Sequence, residues 1–354
     1  MDSRIYDVLV IGAGQSGLAA GYYLKPSGLD VCILDAAERV GDVWRQRWDS
    51  LQLFTPARYS ALPGLKFPAA GGSYPGKDDF ADYLESYAQH FQLPIRTGIR
   101  VLSVRRTDGV FELQTSAGEL RARNVIATPG ANSTPRIPAA AQELDPGITQ
   151  LHTSQYRGPA GIAEGGVVVA GAGTSGVEIA LELARTRPAG TVYLAGQPTK
   201  HIPDAVFRFA GPLYWRLVNS LLTLDTKPGR KVAAGFHKHG SPLIRVSADD
   251  VEQAGAIRLP RISSVADVPA DVRTVIWATG FRPDFGWIEG LPTDDDGWPA
   301  TSRGVVPEMP GLYFVGMPFQ YALTSGIVGG VGRDAEYVVE HLKVRVGQEA
   351  GSRA

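Results

Sequence analysis

The 354-residue chain carries one cysteine, Cys32, so it cannot close an intrachain disulfide. The same shortage excludes a redox dithiol of the disulfide-reductase kind and suits a reducing, cytoplasmic compartment. Cys32 lies within Val31-Cys32-Ile33-Leu34 and reads as a buried structural thiol. An excess of charge of one sign is also missing. With 35 Lys and Arg against 36 Asp and Glu, the formal net charge is −1, and nothing favours a nucleic-acid partner. No run of about 18 uncharged apolar residues is present, so no membrane span is expected. The nearest stretch, Phe209 to Leu224, is broken by Arg216 and Asn219. Its apolar residues fall at helical spacing and are expected to cover a substrate or domain interface inside the protein rather than a membrane surface. Residues 1–11 run straight into a strand, leaving no room for a cleavable signal. The six histidines (His90, His152, His201, His237, His239 and His341) are scattered. They form no convincing Ser-His-Asp set or metal cluster, and the carboxylates form no catalytic pair. His237 and His239 flank Lys238 and read as a solvated basic loop.

What the chain does have is glycine in two matching places. Gly12-Ala13-Gly14-Gln15-Ser16-Gly17 follows Val8-Leu9-Val10-Ile11, and Gly171-Ala172-Gly173-Thr174-Ser175-Gly176 follows Val167-Val168-Val169-Ala170. Each G-x-G-x-x-G closes an apolar strand and opens a helix-compatible stretch, the context a dinucleotide loop requires. The first glycine permits the tight turn. The second lets backbone N–H groups approach a pyrophosphate, and the third lets helix and strand pack closely. Two such loops imply two nucleotides, most economically a flavin and the pyridine nucleotide that reduces it.

The two units differ at one informative position. Asp35 ends the second strand of the first unit, 18 residues beyond Gly17, where a carboxylate accepts hydrogen bonds from a ribose without a 2′-phosphate, as in FAD. The second unit ends its strand Tyr193-Leu194-Ala195-Gly196, with no acid, and Lys200 and His201 follow. Loss of the acid and gain of a cation favour NADPH over NADH. Helical spacing over 78–92, a hairpin around Asp108-Gly109, strands near 124–128, 274–280 and 311–316, and a helix from about Arg333 to Val344 complete the coarse reading. The architecture expected is α/β, with two Rossmann-like domains, the NADPH domain inserted into the FAD domain. The divisions expected are 1–158 and 284–354 for FAD, and 159–283 for NADPH with a helical insertion over about 205–240.

With both loops placed, the chain resembles the flavin-containing monooxygenase family, most of all its short bacterial members, over nearly its whole length. The likeness also rests on Val40-Gly41-Asp42-Val43-Trp44-Arg45, on Asp49 to Pro56, on Trp277-Ala278-Thr279-Gly280-Phe281, and on His152-Thr153-Ser154-Gln155-Tyr156. The last is the end of the family's F-x-G-x-x-x-H-x-x-x-[YF] fingerprint. The match is incomplete: Gly147 is one residue too far upstream and no Phe stands near Asp145 or Pro146. Tyr156 stands where the related Baeyer–Villiger enzymes usually carry Trp, and Thr55 stands near a position that many members fill with Asn.

The resemblance implies FAD and NADPH as cofactors and a small-molecule substrate with O2 as partners; a homodimer is left open. NADPH passes hydride to the flavin, O2 attacks flavin C4a, and the C4a-hydroperoxide oxygenates an amine nitrogen or sulfur. It implies Gly12, Gly14, Gln15, Ser16, Gly17, Asp35, Val43, Trp44, Arg45, Val101, Thr279, Gly316 and Gln320 around the flavin nucleotide, with Arg45 and Arg47 either at phosphates or solvated. Gly171, Gly173, Thr174, Ser175, Gly176 and Lys200 fall to NADPH. Thr55, His152 and Gln320 are the expected catalytic set, His152 alternatively holding the linker between domains. Phe207, Phe209, Tyr214 and Trp215 either roof the substrate pocket or are plain core. Three other readings stay open: an NADPH oxidase or reductase releasing hydrogen peroxide, a Baeyer–Villiger oxygenase, and a non-catalytic nucleotide-sensing flavoprotein.

Overall fold

Parallel strands buried on both faces need near-continuous apolar runs, and two such runs seed two separate sheets. The computed structural model describes residues 4–130, 134–239 and 241–353. The first sheet grows from β1 (Ile5–Ile11), whose Val8, Leu9 and Val10 are fully buried. A glycine loop leads into α1 (Gln15–Leu24), and the chain returns in β2 (Val31–Leu34), parallel to β1. The short α2 (Asp42–Arg45) and then α3 (Lys77–His90) follow. Phe80, Tyr83, Leu84 and Tyr87 of α3 are spaced three and four apart and all face the core, the signature of an amphipathic helix. β3 (Ile95–Arg96) extends the sheet beside β2. β4 (Val101–Thr107) and β5 (Val110–Thr115) form an antiparallel hairpin. Its turn places Asp108 and Gly109 at φ 52° and 82°, as a two-residue hairpin demands. β6 (Gly118–Ala127) joins that hairpin to β1.

The chain then leaves the first sheet through β7 (Thr134–Pro135) and builds a second from β8 (Thr149–His152) and β9 (Gly166–Ala170). α4 (Thr174–Thr186) and β10 (Val192–Ala195) repeat the βαβ pattern of the first unit. Helices α5 (Asp204–Leu221), α6 (Lys227–His239) and α7 (Ala248–Gln253) precede β11 (Ile257–Leu259) and β12 (Val272–Trp277). The five strands lie parallel in the order β11-β10-β9-β12-β8. β13 (Phe281–Arg282) pairs antiparallel with β7, so the outgoing and returning crossings are tied together. β14 (Leu312–Phe314) rejoins the first sheet beside β6, and α8 (Val328–Arg353) packs along α1. These are two Rossmann-like domains, the second entered and left between β6 and β14 of the first.

Three local details depart from the sequence pattern. Thr149–His152 lies in the stretch expected to end the first unit, yet it is the edge strand of the second sheet, paired with β12. Its Pro- and Gly-rich flanks conceal four residues of strand. Helix α8 begins earlier than Arg333 because Gly329 and Gly330 continue it. A Cβ on either would meet the backbone oxygen of Tyr59 or Thr324 at 2.2 or 1.9 Å, so close packing, not chain reversal, explains these glycines. Helix α5 is bent at Ala210 (φ −131°, ψ 15°), next to Pro212, whose ring excludes regular helix before it.

Candidate active site

Both glycine loops are built alike. Gly12 and Gly171 sit at φ +104° and +119°, a left-handed conformation that side chains disfavour. A Cβ on Gly17 or Gly176 would lie 1.8 Å from the carbonyl oxygen of Gly12 or Gly171, so the third glycine of each loop is needed for packing alone. The middle glycines differ. A Cβ on Gly14 or Gly173 meets nothing within 4 Å, and both residues line one cavity of about 1350 Å³. Gly14 and Gly173 are also the N-caps of α1 and α4, with no side chain capping either helix. Free N–H groups and the positive helix end therefore face the cavity, the arrangement that holds a phosphate group. A ligand pocket is typically about 300–1,000 Å³; this one exceeds that and reaches both loops, so it has room for more than one such ligand.

Asp35 stands at the end of β2, beside the first loop. Its Oδ2 accepts from the Ala13 N–H at 2.6 Å and its Oδ1 from Ala37 N–H at 2.7 Å, and it lines the cavity. The register makes Gly196 its counterpart: Ile11 pairs with Leu34 as Ala170 pairs with Ala195. The Gly12 and Gly171 N–H groups donate to Leu34 and Ala195 oxygens at 2.7 and 2.8 Å. The second loop's end of the cavity thus lacks a carboxylate at that position. Thr199 and Ser241 line it, joined by the Thr199 hydroxyl donating to the Ser241 carbonyl at 2.8 Å. Lys200 is exposed and outside the lining, its carbonyl accepting from Leu243 N–H at 3.0 Å. The sequence pattern missed Arg258, on β11 beside Leu194, whose Nη2 donates to the Gly196 oxygen at 3.0 Å.

Of the other expected residues, Gln15, Ser16, Val43, Trp44, Val101, Thr174, Ser175 and Gly316 line the cavity. Trp44 packs edge-on against Phe80 at 4.8 Å. Arg45 does not line the cavity; it is held by Asp42 at 3.2 Å, Asp82 at 2.7 Å and Glu85 at 3.1 Å. Arg47 faces the cavity instead, 5.9 Å from the Phe281 ring centroid. Burial and then the nearby Arg157 push its pKa down. Thr279 donates its hydroxyl to the Arg136 carbonyl and leaves the wall to Gly280 and Phe281.

The three residues expected to be catalytic have side chains turned to other partners. Thr55 is buried, its hydroxyl 2.8 Å from Ser60 Oγ, while its neighbours Leu53 and Phe54 line the cavity. Gln320 is buried and donates to the Phe314 and Arg303 carbonyls at 2.9 and 3.2 Å, so it braces the turn behind Gly316. His152 is 2% exposed, with Nε2 3.0 Å from the Gly280 oxygen. Nδ1 accepts from Ser154 N–H at 3.2 Å, which assigns the proton to Nε2. Burial, the largest influence, pushes its pKa down, so the ring stays neutral and holds the crossing at Gly280. The Tyr156 hydroxyl donates to Glu182 at 2.7 Å, and burial raises its pKa.

An unanticipated acid stands at the middle of the site. Glu178 of α4 lines the cavity, and burial raises its pKa to about 7 although Arg245 lies 3.3 Å away. Arg245 Nη1 also donates to the Gln52 carbonyl at 3.2 Å and stacks over Tyr74. Glu178 had no sequence signal beyond its place one turn into a helix. The aromatic insertion is corrected as well. Phe209 is 81% exposed and Trp215 packs on Tyr59 at 5.4 Å, whereas Phe236 is the insertion's aromatic at the cavity wall. The side chains of His237 and His239 lie outside the described residues. Among the described residues no group of three His, Cys, Asp or Glu could hold a metal, and no helix is long and apolar enough to cross a membrane.

The chain is similar to known proteins. The pyridine nucleotide-disulphide oxidoreductase family matches residues 9–316. The uncharacterized oxidoreductase CzcO-like of Geobacillus kaustophilus is 40% identical, across 96% of this chain and 99% of its own length. The probable indole-3-pyruvate monooxygenase YUCCA1 of Arabidopsis thaliana is 32% identical, across 84% of this chain and 81% of its own. The solved flavin-containing monooxygenase from Stenotrophomonas maltophilia superposes with a TM-score of 0.76 at 28% identity, covering 96% of this chain and 99% of that one. The chain therefore belongs to the pyridine nucleotide-disulphide oxidoreductase family and, within it, to the flavin monooxygenases, as an oxidoreductase that uses NADPH and O2 with FAD and NADP as its cofactors.

Proposed function

We propose that the chain transfers one oxygen atom of O2 to a soft nucleophile, an amine nitrogen or a sulfur, on a small molecule. The observation that carries this reading is the single cavity that opens at Gly14 and at Gly173. FAD, when bound, would supply the redox chemistry, accepting hydride from NADPH and passing oxygen to the nucleophile. Overall, NADPH, a proton, O2 and the nucleophile give NADP⁺, water and the oxygenated product.

The chain's own residues bind, orient and exclude water. Gly12, Gly14 and Gly17 let the α1 N-terminus receive the FAD pyrophosphate, and Asp35 takes the adenosine ribose. Gln15, Ser16, Val43, Trp44, Val101 and Gly316 enclose the rest of FAD. Gly171, Gly173, Thr174, Ser175 and Gly176 do the same for NADPH, whose 2′-phosphate is met by Lys200 and tolerated because Gly196 carries no charge. The second domain, which the edge strand Thr149–His152 extends upstream of residue 159, thus serves NADPH as far as 283, and the first domain with 284–354 serves FAD. Gln320, Thr55 and His152 act from behind the wall as positioning groups. Phe236 and Phe54 keep the oxygenation end apolar, which protects a reactive intermediate from water.

One observation favours a second reading, an NADPH oxidase releasing hydrogen peroxide. The Thr55 hydroxyl lies 2.8 Å from Ser60 Oγ and Thr55 is not among the residues of the cavity wall, so its side chain is turned away from an oxygen adduct. The two readings separate in one assay: oxygenated product counted against NADPH consumed, with an alkyl thioether or a tertiary amine as probe and peroxide measured in parallel. Product close to one per NADPH supports oxygen transfer. Peroxide close to one per NADPH with every probe supports the oxidase.

A further inference from the structure

Helix α5 buries one face and leaves the other in water. Trp215 and Val218 are 5% and 7% exposed, and the Thr324 hydroxyl donates to Asn219 Oδ1 at 2.7 Å, so this face is fixed to the body of the protein. Phe209, Leu213, Leu217 and Leu221 are 81%, 57%, 44% and 48% exposed. Leu213, Leu217 and Leu221, spaced four apart, form an apolar stripe on the opposite side of the helix, and Phe209 precedes it across the bend at Ala210. Scattered exposed apolar residues need no explanation, but a contiguous patch of large ones marks an interaction surface.

Charge identifies the partner. Between residues 205 and 239 the chain carries six Lys and Arg (Arg208, Arg216, Lys227, Arg230, Lys231 and Lys238) against one acid, Asp225, in a protein of net charge −1. Arg216 is exposed on the stripe's own face, and Lys227, Arg230 and Lys231 are exposed on α6, five residues beyond the end of α5. An apolar helix face with basic residues beside it is the pattern of a helix lying in the plane of a bilayer whose lipids are anionic. A second copy of the chain on the same stripe would bring two basic segments together, and like charges there oppose association.

We propose that the α5–α6 surface docks the protein on an anionic lipid bilayer, with the Phe209–Leu221 stripe in the interfacial region and the α6 cations against the head groups. The same helix pair reaches the cavity, since Phe236 of α6 lines it and packs on Phe319 at 5.6 Å. Docking therefore presents the wall of the reaction cavity to the membrane side, a route for lipophilic molecules.

The test is flotation of the FAD-loaded protein with phosphatidylglycerol-containing vesicles and with pure phosphatidylcholine vesicles. The protein is expected to float with the anionic vesicles and to be released by high salt. A Leu213→Glu/Leu217→Glu variant is expected to lose at least about tenfold in binding, and a Lys227→Glu/Arg230→Glu/Lys231→Glu variant to lose the preference for anionic lipid. Both variants should keep flavin and NADPH oxidation, which shows that they fold. No flotation of the parent protein, or equal flotation of the parent and both folded variants, overturns the proposal. So does a lipid-free dimer, seen by sedimentation velocity, that the Leu213→Glu/Leu217→Glu change dissociates.

Discussion

Arg245 Nη1 stands 3.3 Å from Glu178 Oε1 and 3.2 Å from the carbonyl oxygen of Gln52. One guanidinium thus ties the helix behind the second glycine loop to the segment that lines the first domain's side of the cavity. Burial nevertheless outweighs the ion pair and raises the Glu178 pKa from 4.5 to about 7. A carboxyl raised in the folded state binds its proton more tightly there than in the unfolded chain. Its contribution to stability is therefore fullest below about pH 4.5 and falls as pH rises to about 7, by on the order of 3 kcal/mol. Glu178→Gln should remove that slope from urea denaturation between those pH values. It should also flatten any limb near pH 7 in the rate of flavin reduction by NADPH. A Glu178→Gln variant whose stability changes with pH as the parent's does over this range contradicts the assignment.

His152 supplies the opposite slope. Its pKa is lowered chiefly by burial, so the folded state disfavours the charged ring. Stability from this residue is present above the unfolded value of about 6.5 and is lost as pH falls. His152→Gln, which can still donate to the Gly280 oxygen, should fold well and show a shallower loss of stability below that pH. His152→Ala removes the donor to a buried carbonyl and should cost about 1–3 kcal/mol at neutral pH. If His152→Gln follows the parent's acid profile, the neutral ring is not what holds the crossing.

Gly14 separates binding from folding. Its φ of −74° is open to any residue, and a Cβ there meets no protein atom within 4 Å. Gly14→Val should therefore keep the circular dichroism and melting behaviour of the flavin-free parent yet purify without flavin, because the new side chain occupies the pyrophosphate position. Gly17→Val, whose Cβ would stand 1.8 Å from the Gly12 oxygen, should fail at the level of folding. A yellow Gly14→Val protein would remove FAD from the first loop.

Lys200 and Arg258 should divide on cofactor. Lys200 is exposed beside Thr199 at the rim of the second ribose site, and a charge-assisted contact is worth about 1.5–3 kcal/mol. Lys200→Ala should raise KM for NADPH by about tenfold or more and leave KM for NADH in place. The Arg258 guanidinium is spent on the Gly196 carbonyl, with Glu252 3.6 Å from its other arm. Arg258→Ala should weaken both nucleotides alike. Equal effects of Lys200→Ala on the two cofactors would take Lys200 out of the phosphate site.

Both glycine loops, the acid at Asp35 and its absence at Gly196 were legible in the sequence because they depend on residues close along the chain. The strand before each loop is a run of fully buried aliphatics, and the glycine spacing needs no tertiary knowledge. What was not legible depends on which way a side chain turns. Thr55 sits among cavity-lining residues yet bonds inward to Ser60, and Gln320 follows a lining segment yet braces it from behind. Glu178 acquires its raised pKa from burial in the folded protein, against the pull of a cation 67 residues away. Helical spacing showed that α5 has an apolar face, but not that Leu213, Leu217 and Leu221 turn to water while Trp215 and Val218 turn inward.

The most direct measurement mixes the NADPH-reduced, FAD-loaded protein rapidly with dioxygen and follows the flavin spectrum. Oxygen transfer predicts an oxygenated flavin, spectrally distinct from both reduced and oxidised forms, that accumulates and decays faster when a thioether or amine is added. Direct return to oxidised flavin with stoichiometric peroxide, unchanged by any nucleophile, contradicts it.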